Sequence, residues 1–150
     1  MDTPICLECN QTISNGVAEF SYNKYGILLC MNHQSWADHI SKNTTFETIR
    51  LYFALKMRGV PAIIEKYDGF KHIDIAIPDA KVNIEVDGAH HNYNNMQALA
   101  DLKRTYHSFV RGYLTLRIPN SLVYNDFVLN ETAEYIVGFL NENLKKIQHH

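Results

Sequence analysis

The chain has 150 residues, 46% hydrophobic and 20% charged, and a formal net charge of -2. These values exclude intrinsic disorder and collagen-like repeats, and they predict a chain long enough to bury a hydrophobic core. Its longest apolar runs, such as residues 60–64, are far shorter than the roughly 20 residues of a membrane span. The N-terminus has no signal-peptide pattern, so a cytoplasmic location without a membrane partner is expected.

Two short-spaced pairs of metal-ligand residues lie in the first forty positions. Two residues lie between Cys6 and Cys9, and two lie between Cys30 and His33. This spacing lets each pair aim two donors at one point, and four protein donors complete a structural zinc site without an open position. The alternative is three unrelated cysteines and a chance histidine. We therefore predict a zinc-binding knuckle over residues 1–40, which resembles the zinc-ribbon or treble-clef knuckles of many nucleic-acid enzymes.

The segment between the two ligand pairs is predicted to be a small hairpin. Residues 17–25 alternate loosely between apolar and polar side chains, and Asn15-Gly16 and Tyr25-Gly26 are typical of turns. The hairpin would carry the second ligand pair. Metal binding would explain why a segment too small for its own core is ordered.

The rest of the chain, residues 44–148, is predicted to form one α/β domain. Thr44 and Glu47 have the spacing of a capping box, which predicts a helix from there to about residue 58. Alternating apolar residues predict strands, and helical periodicity predicts two further helices. In chain order the later elements are a strand at 60–66, strands at 72–78 and 81–88, a helix at 96–110, a strand at 112–118 and a helix at 125–146. This order predicts helices on both sides of a mixed sheet.

Three acidic residues alternate along two consecutive predicted strands. Since strand side chains alternate with period two, Asp74 can share one face of an antiparallel pair with Glu85 and Asp87. Clustered carboxylates favour a hard divalent cation such as Mg2+. Hydrolysis of phosphodiesters is a reaction that such a metal supports. The alternative is an ordinary solvated strand face.

Several motifs of this region occur together in the order found in one nuclease superfamily. They are Glu47, Asp74, the segment 84–88 (IEVDG), His91, the segment 101–104 (DLKR) and the segment 116–120 (LRIPN). Over residues 44–143 the sequence resembles the PD-(D/E)XK nucleases, and within them the branch similar to very-short-patch-repair endonucleases. The resemblance implies a restriction-endonuclease-like mixed sheet flanked by helices, dependence on Mg2+ or Mn2+, and Asp74 and Glu85 as ligands of that catalytic metal.

One position departs from the superfamily pattern. Asp87 stands where the superfamily has a lysine that orients water or stabilises negative charge, and an aspartate cannot donate in that way. His91, Lys103 or Arg104 would have to take over this role, and His91 is the candidate for proton transfer or phosphate contact. The alternative is that His91 is a loop residue without a functional role. Glu47 could reach the same metal, although helix capping explains it equally well.

Three basic residues are candidates for contact with nucleic acid. Arg104 and Arg117 can bind phosphate through bidentate hydrogen bonds, and Lys103 lies beside Arg104 in sequence. Arg104 has an alternative partner in Asp101, one turn away on the same helix. We expect the three to contribute to DNA binding.

The function best supported by the sequence is that of a Mg2+-dependent DNA endonuclease or nickase whose zinc knuckle aids DNA recognition. A homodimer would allow such a protein to cut both strands. The alternative is a catalytically weak or inactive nuclease-fold module that binds DNA or protein, which the loss of lysine at Asp87 favours. A zinc protein unrelated to nucleic acid would require the order of motifs to be coincidence. The net charge of -2 is unusual for a sequence-independent DNA binder.

Overall fold

The computed structural model describes residues 2–88 and 94–149, and the predicted site residue His91 lies outside these ranges. By its internal contacts the chain divides into two units, with the boundary between Phe46 and Glu47. In the two described ranges, no helix has both the length and the apolar character needed to cross a bilayer.

The first unit consists of a tight turn followed by two helices. Ile5 and Thr12 form an isolated antiparallel bridge, and between them the Cys6 amide donates to the Gln11 carbonyl at 2.8 Å. Asn10 has a φ of 62°, which allows the chain to reverse direction there. Helix α1 (Asn15–Tyr25) and helix α2 (Met31–Ile40) follow.

The hairpin predicted for residues 17–25 is wrong, because this segment is helix α1. The Ser14 hydroxyl accepts a hydrogen bond from the Val17 amide at 3.2 Å and caps the helix, and Gly26 ends it with a φ of 75°. The aromatic residues that suggested alternation do not face a sheet, since Phe20 and Tyr22 are exposed. The buried side chains recur at a helical interval instead.

The second unit confirms the predicted α/β architecture. Its sheet has the order β1-β2-β3-β4, in which the first two pairings are antiparallel and β3 pairs with β4 in parallel. The elements are α3 (Phe46–Lys56), β1 (Ile63–Tyr67), β2 (His72–Ile77), β3 (Val82–Asp87), α4 (Asn95–Val110), β4 (Leu114–Pro119) and α5 (Asp126–Gln148), with 3-10 turns at Pro78–Ala80 and Asn120–Leu122.

The predicted capping box of Thr44 and Glu47 does not fit the start of α3. The helix begins at Phe46, so Thr45 and not Thr44 occupies the cap position. Among the described residues the Thr44 hydroxyl has no hydrogen-bond partner, although it is buried. Glu47 is therefore the second helical residue and not the third, which a capping box requires.

One face of the sheet forms the hydrophobic core. Ile75, Val82 and Ile84 are completely buried on it, as the alternation in β2 and β3 predicts. Helices α3 and α5 bury their own apolar sides, and ion pairs from α3 to α5 join the two helices. These two helices therefore supply the apolar cover of the sheet.

Helix α4 contributes polar side chains to the opposite face of the sheet. Its only buried residue is Ser108, and the side chains of Asp101 and Thr105 bond to Arg117 on β4. The apolar residues of α4 point away, with Met96 82% and Phe109 73% exposed. The space between α4 and the sheet is therefore lined by groups that can hold ions and water.

Candidate functional site

The first unit brings Cys6, Cys9, Cys30 and His33 together, as predicted. Their ligand atoms all lie within 4.8 Å of one another. The Cys30 Sγ–His33 Nδ1, Cys6 Sγ–His33 Nδ1 and Cys9 Sγ–Cys30 Sγ distances are 3.2, 3.6 and 3.9 Å. A tetrahedral zinc ion with Zn–S near 2.3 Å and Zn–N near 2.0 Å requires ligand separations of about 3.5 to 3.8 Å. The four side chains therefore fit a zinc ion.

Local structure prepares the donors of this cluster. Cys30 occupies the N-cap position of helix α2 and His33 lies in its first turn, so the helix fixes the spacing of the second pair. Burial of Cys6 opposes ionisation of its thiol, but hydrogen bonds from the backbone of Cys30, Cys9 and Glu8 outweigh it and lower the pKa to about 7. The backbone around Cys6 therefore favours the thiolate form of this ligand, which is the form that binds metal.

In the second unit, charged side chains form a row across the polar face of the sheet. Glu85 lies opposite Arg117, and extension of the β2–β3 register by one residue places Asp74 opposite Glu85. In the β1–β2 register Glu65 falls between the paired residues Ile64 and Lys66, opposite Asp74, and its charge acts on that carboxyl. Because facing residues of neighbouring strands point to the same side, the row contains three carboxylates and one guanidinium. We call Glu65, Asp74, Glu85 and Arg117 the charged row.

The carboxyl groups of Asp74 and Glu85 form the centre of the charged row. The register places them on neighbouring strands, and after burial the charge of Asp74 is one of the causes that raise the pKa of Glu85. The amide of Val86 donates to Asp74 Oδ2 at 2.9 Å. Burial is the main cause that raises the pKa of both carboxyls above their ordinary values. Two neighbouring carboxyls with raised pKa values are suited to bind a cation, which would offset the cost of burying their charges.

Lys71 is a member of this site that the sequence did not predict. Its Nζ lies 2.6 Å from Glu85 Oε1, and both side chains are largely buried, with exposures of 16% and 11%. Alternation along β2 assigns Lys71 to the face of Ile73, away from the acids. The turn before β2 redirects it, since Asp68 Oδ1 accepts hydrogen bonds from the amides of Phe70 and Lys71, each at 2.8 Å.

Asp87 lies near the charged row but has its own partner. Its carboxylate is 3.7 Å from Arg117 Nη1, and Arg117 Nη2 also contacts Asp101 at 2.9 Å and Thr105 Oγ1 at 2.7 Å. Burial raises the pKa of Asp87, and although Arg117 opposes this, Asp101 and Glu85 add to it. Arg117 therefore links the end of β3 to helix α4, and three protein groups already occupy its guanidinium.

Glu65 has a backbone conformation that favours glycine. Its φ is 53°, inside strand β1 and opposite Asp74. For a residue with a side chain this region costs roughly 1 to 3 kcal/mol, and such residues concentrate at functional sites. Its charge also contributes to the raised pKa of Asp74, after burial.

The remaining predicted residues are not joined to the Asp74–Glu85 pair. Lys103 and Arg104 are exposed on α4, and the partner of Asp101 is Arg117 and not Arg104. Glu47 is half-buried in the first turn of α3, and no hydrogen bond or ion pair connects it to Asp74 or Glu85 in the described ranges. Within the same ranges, the cysteine–histidine cluster is the only set of three or more potential metal ligands.

A solved structure corresponds to this mixed sheet and its flanking helices. The chain is similar to the catalytic domain of the homing endonuclease I-Bth0305I, with 15% sequence identity and a TM-score of 0.55. The match covers 67% of this chain and 99% of that domain. At this identity the similarity shows the fold. No family model and no curated protein sequence matches the chain.

The raised pKa values predict how stability depends on pH when no divalent metal is present at this site. Asp74 binds its proton more tightly in the folded than in the unfolded chain, so the free energy of unfolding falls as pH rises above the ordinary carboxyl value of about 4. The Asp74→Asn variant has no carboxyl group at this position, so its free energy of unfolding lacks this decrease. We expect it to be more stable than the wild type at pH 7, by on the order of 1 kcal/mol, with a smaller difference at lower pH.

Urea unfolding of both proteins across pH 4–8 measures this difference. Because the first unit is the same in both, the difference between the two proteins isolates the carboxyl group. Parallel stability curves would show that Asp74 causes no such decrease.

Proposed function

We propose that the protein is a metal-dependent DNA endonuclease or nickase whose active site is built around Asp74 and Glu85. The observation that carries the proposal is the buried carboxyl pair on the polar face of an endonuclease-like sheet. Carboxylates are rarely buried together without a function, because each raises the pKa of the other. The motif resemblance to PD-(D/E)XK nucleases, and to their very-short-patch-repair branch, supports the same assignment.

The residues present fit Mg2+ or Mn2+. Asp74 and Glu85 offer hard oxygen donors, and Mg2+ is commonly held by one or two carboxylates together with water and substrate phosphate. When bound, such a metal stabilises charge on the scissile phosphate and lowers the pKa of a water molecule. The chain's own part is to hold the two carboxylates in place, which Val86 and Lys71 do through hydrogen bonds.

Lys71 is our candidate for the role of the lysine that is absent at Asp87. Its Nζ reaches Glu85 from the turn before β2, so it places a fixed positive charge beside the carboxyl pair. Such a charge can orient a water molecule or stabilise the developing negative charge of a phosphate. Asp87 and Arg117 have a positioning role in this scheme, since they connect β3 to α4. Proton transfer by His91 remains a prediction.

The cluster of Cys6, Cys9, Cys30 and His33 is proposed to hold a structural zinc ion. The ligand set is complete without water, which is typical of structural sites. We propose that this knuckle aids DNA recognition.

The second candidate function is a nuclease-fold module that binds DNA or protein without cutting. The observation that favours it is the ion pair between Lys71 and Glu85, because this cation already occupies the carboxylate that a metal would need. If the pair persists in the presence of metal, the site would bind a phosphate but would not hydrolyse it.

Nicking of supercoiled plasmid DNA tests the proposal. We expect open-circle product with Mg2+ or Mn2+ and none when the divalent metal is removed by dialysis, which is preferable to a strong chelator that would also remove zinc. Gel-shift assays on the same preparation measure binding. Retained binding without any nicking across several DNA substrates would favour the binding module, and the absence of both would contradict a DNA partner.

A further inference from the structure

A second polar site lies beside the charged row in the same unit. It is a pocket of about 200 Å³ between the β1–β2 hairpin, the sheet and the C-terminal end of α4. Ligand pockets for drug-sized molecules measure roughly 300 to 1,000 Å³, so this pocket suits a single ring or a comparably small group. The residues that matter for its chemistry are Lys66, Tyr67, Asn83, Ser108, Arg111 and Tyr113.

Two buried polar side chains line this pocket without a partner. Asn83 is 5% exposed and Ser108 is 4% exposed, and among the described residues neither side chain makes a hydrogen bond. In the described residues Thr44 Oγ1 is the only side-chain polar atom that is both fully buried and unpaired, so the Asn83 amide and the Ser108 hydroxyl keep access to the pocket. The two groups can therefore offer a ligand both hydrogen-bond donors and acceptors.

The rim of the pocket holds two cations, Lys66 and Arg111, two tyrosines and one acid, Asp68. Lys66 has no ion-pair partner in the described part of the chain, and Arg111 uses only Nη1, which donates to the Asp68 carbonyl at 2.8 Å and lies 3.4 Å from His107. Free guanidinium and ammonium hydrogens favour a phosphate. Tyr113 and Tyr67 add ring faces to the lining.

The pocket is next to the carboxyl pair. Asn83 precedes Glu85 by two residues on β3, so their side chains share the polar face at a spacing of about 7 Å along the strand. A group bound at Asn83 would therefore adjoin a phosphate bound at Glu85.

We propose that the pocket holds one unpaired nucleobase of the DNA substrate, with its phosphate facing Lys66 and Arg111. The edge of the base would pair with the Asn83 amide and the Ser108 hydroxyl. A base within a duplex cannot enter, because its edge is already paired and its faces are stacked. The inference rests on the proposed function, and it names the substrate class as DNA with an extrahelical nucleotide at the cleavage position.

Fluorescence anisotropy without divalent metal tests the proposal. Two labelled duplexes are compared, one fully paired and one with a single bulged nucleotide. We expect the wild type to bind the bulged duplex about 10-fold more tightly, which corresponds to about 1.4 kcal/mol. Asn83→Leu replaces the amide with an apolar side chain of similar size, so it should abolish the preference for the bulged duplex. Ser108→Ala should reduce the preference several-fold. This variant is the test of the pocket if Asn83→Leu does not fold.

Asp79→Asn is the matched control, because Asp79 is exposed in the 3-10 turn at Pro78–Ala80 and does not line the pocket, so this variant should keep the preference. Equal affinity of the wild type for the two duplexes would overturn the inference, as would a preference that survives in both folded pocket variants. A preference without any metal-dependent nicking would support the pocket and contradict the nuclease. Metal-dependent nicking without a preference for the bulged duplex would support the nuclease and contradict the pocket.

Discussion

Replacing Asp74 with asparagine is expected to reduce metal-dependent nicking by about 10²- to 10³-fold, the range seen when one key electrostatic group is removed from an active site. Asparagine keeps the oxygen that accepts the Val86 amide, so the strand pairing should survive. It removes the negative charge that a divalent cation requires. Single-turnover nicking rates with saturating Mn2+ measure the loss.

The control for this experiment is Asp79→Asn. Asp79 lies in the 3-10 turn between β2 and β3 and is exposed, so the same chemical change is made away from the charged row. Its nicking rate should equal that of the wild type. Equal rates in wild type and Asp74→Asn would remove Asp74 from the active site. Glu85→Gln should also lose activity, and it should unfold more easily because Lys71 would lose its buried carboxylate.

The second large effect is expected on removal of zinc. We expect about one zinc per chain in protein prepared without added metal, because the four ligand atoms already have the separations of a tetrahedral site. Zinc binding contributes roughly 10 to 16 kcal/mol to small structural domains, which exceeds what a unit of this size can obtain from its core. Loss of the ion should therefore unfold α1 and α2.

His33→Gln tests this, with His39→Gln as its control on the same helix. His39 is exposed and lies outside the ligand cluster. Trp36 is the only tryptophan of the chain and contacts the His33 ring at a centroid distance of 5.7 Å, so its fluorescence reports on the site. Elemental analysis that finds no zinc in the wild type would contradict the prediction, and so would identical zinc content in both variants.

The sequence predicted the second unit better than the first for a physical reason. In β2 and β3 the apolar residues alternate strictly, so the buried face and the meeting of Asp74 with Glu85 follow from local periodicity. In residues 17–25 the alternating residues are exposed aromatics on a helix, and the cap at Ser14 and Gly26 decides the structure.

The partners of the site residues could not be predicted in the same way. Lys71 reaches Glu85 because a turn reverses the orientation that strand periodicity assigns to it. Arg117 meets Asp87 through the parallel pairing of β3 with β4, which depends on the whole fold. Both contacts join residues far apart in sequence, and spacing alone contains no information about them.

Helix α4 exposes its apolar side chains to solvent, and this should make it separate from the sheet more easily than helix α5. Helix α5 covers the core with apolar contacts, and its separation from the sheet would expose much hydrophobic surface to water. Helix α4 buries Ser108 alone and is attached through Arg117, so its release exposes groups that water solvates well. Local opening of α4 therefore requires less free energy than global unfolding, and its amide hydrogens should exchange with solvent before those of α5. The polar face of the sheet should thus become accessible from solvent while the core stays folded.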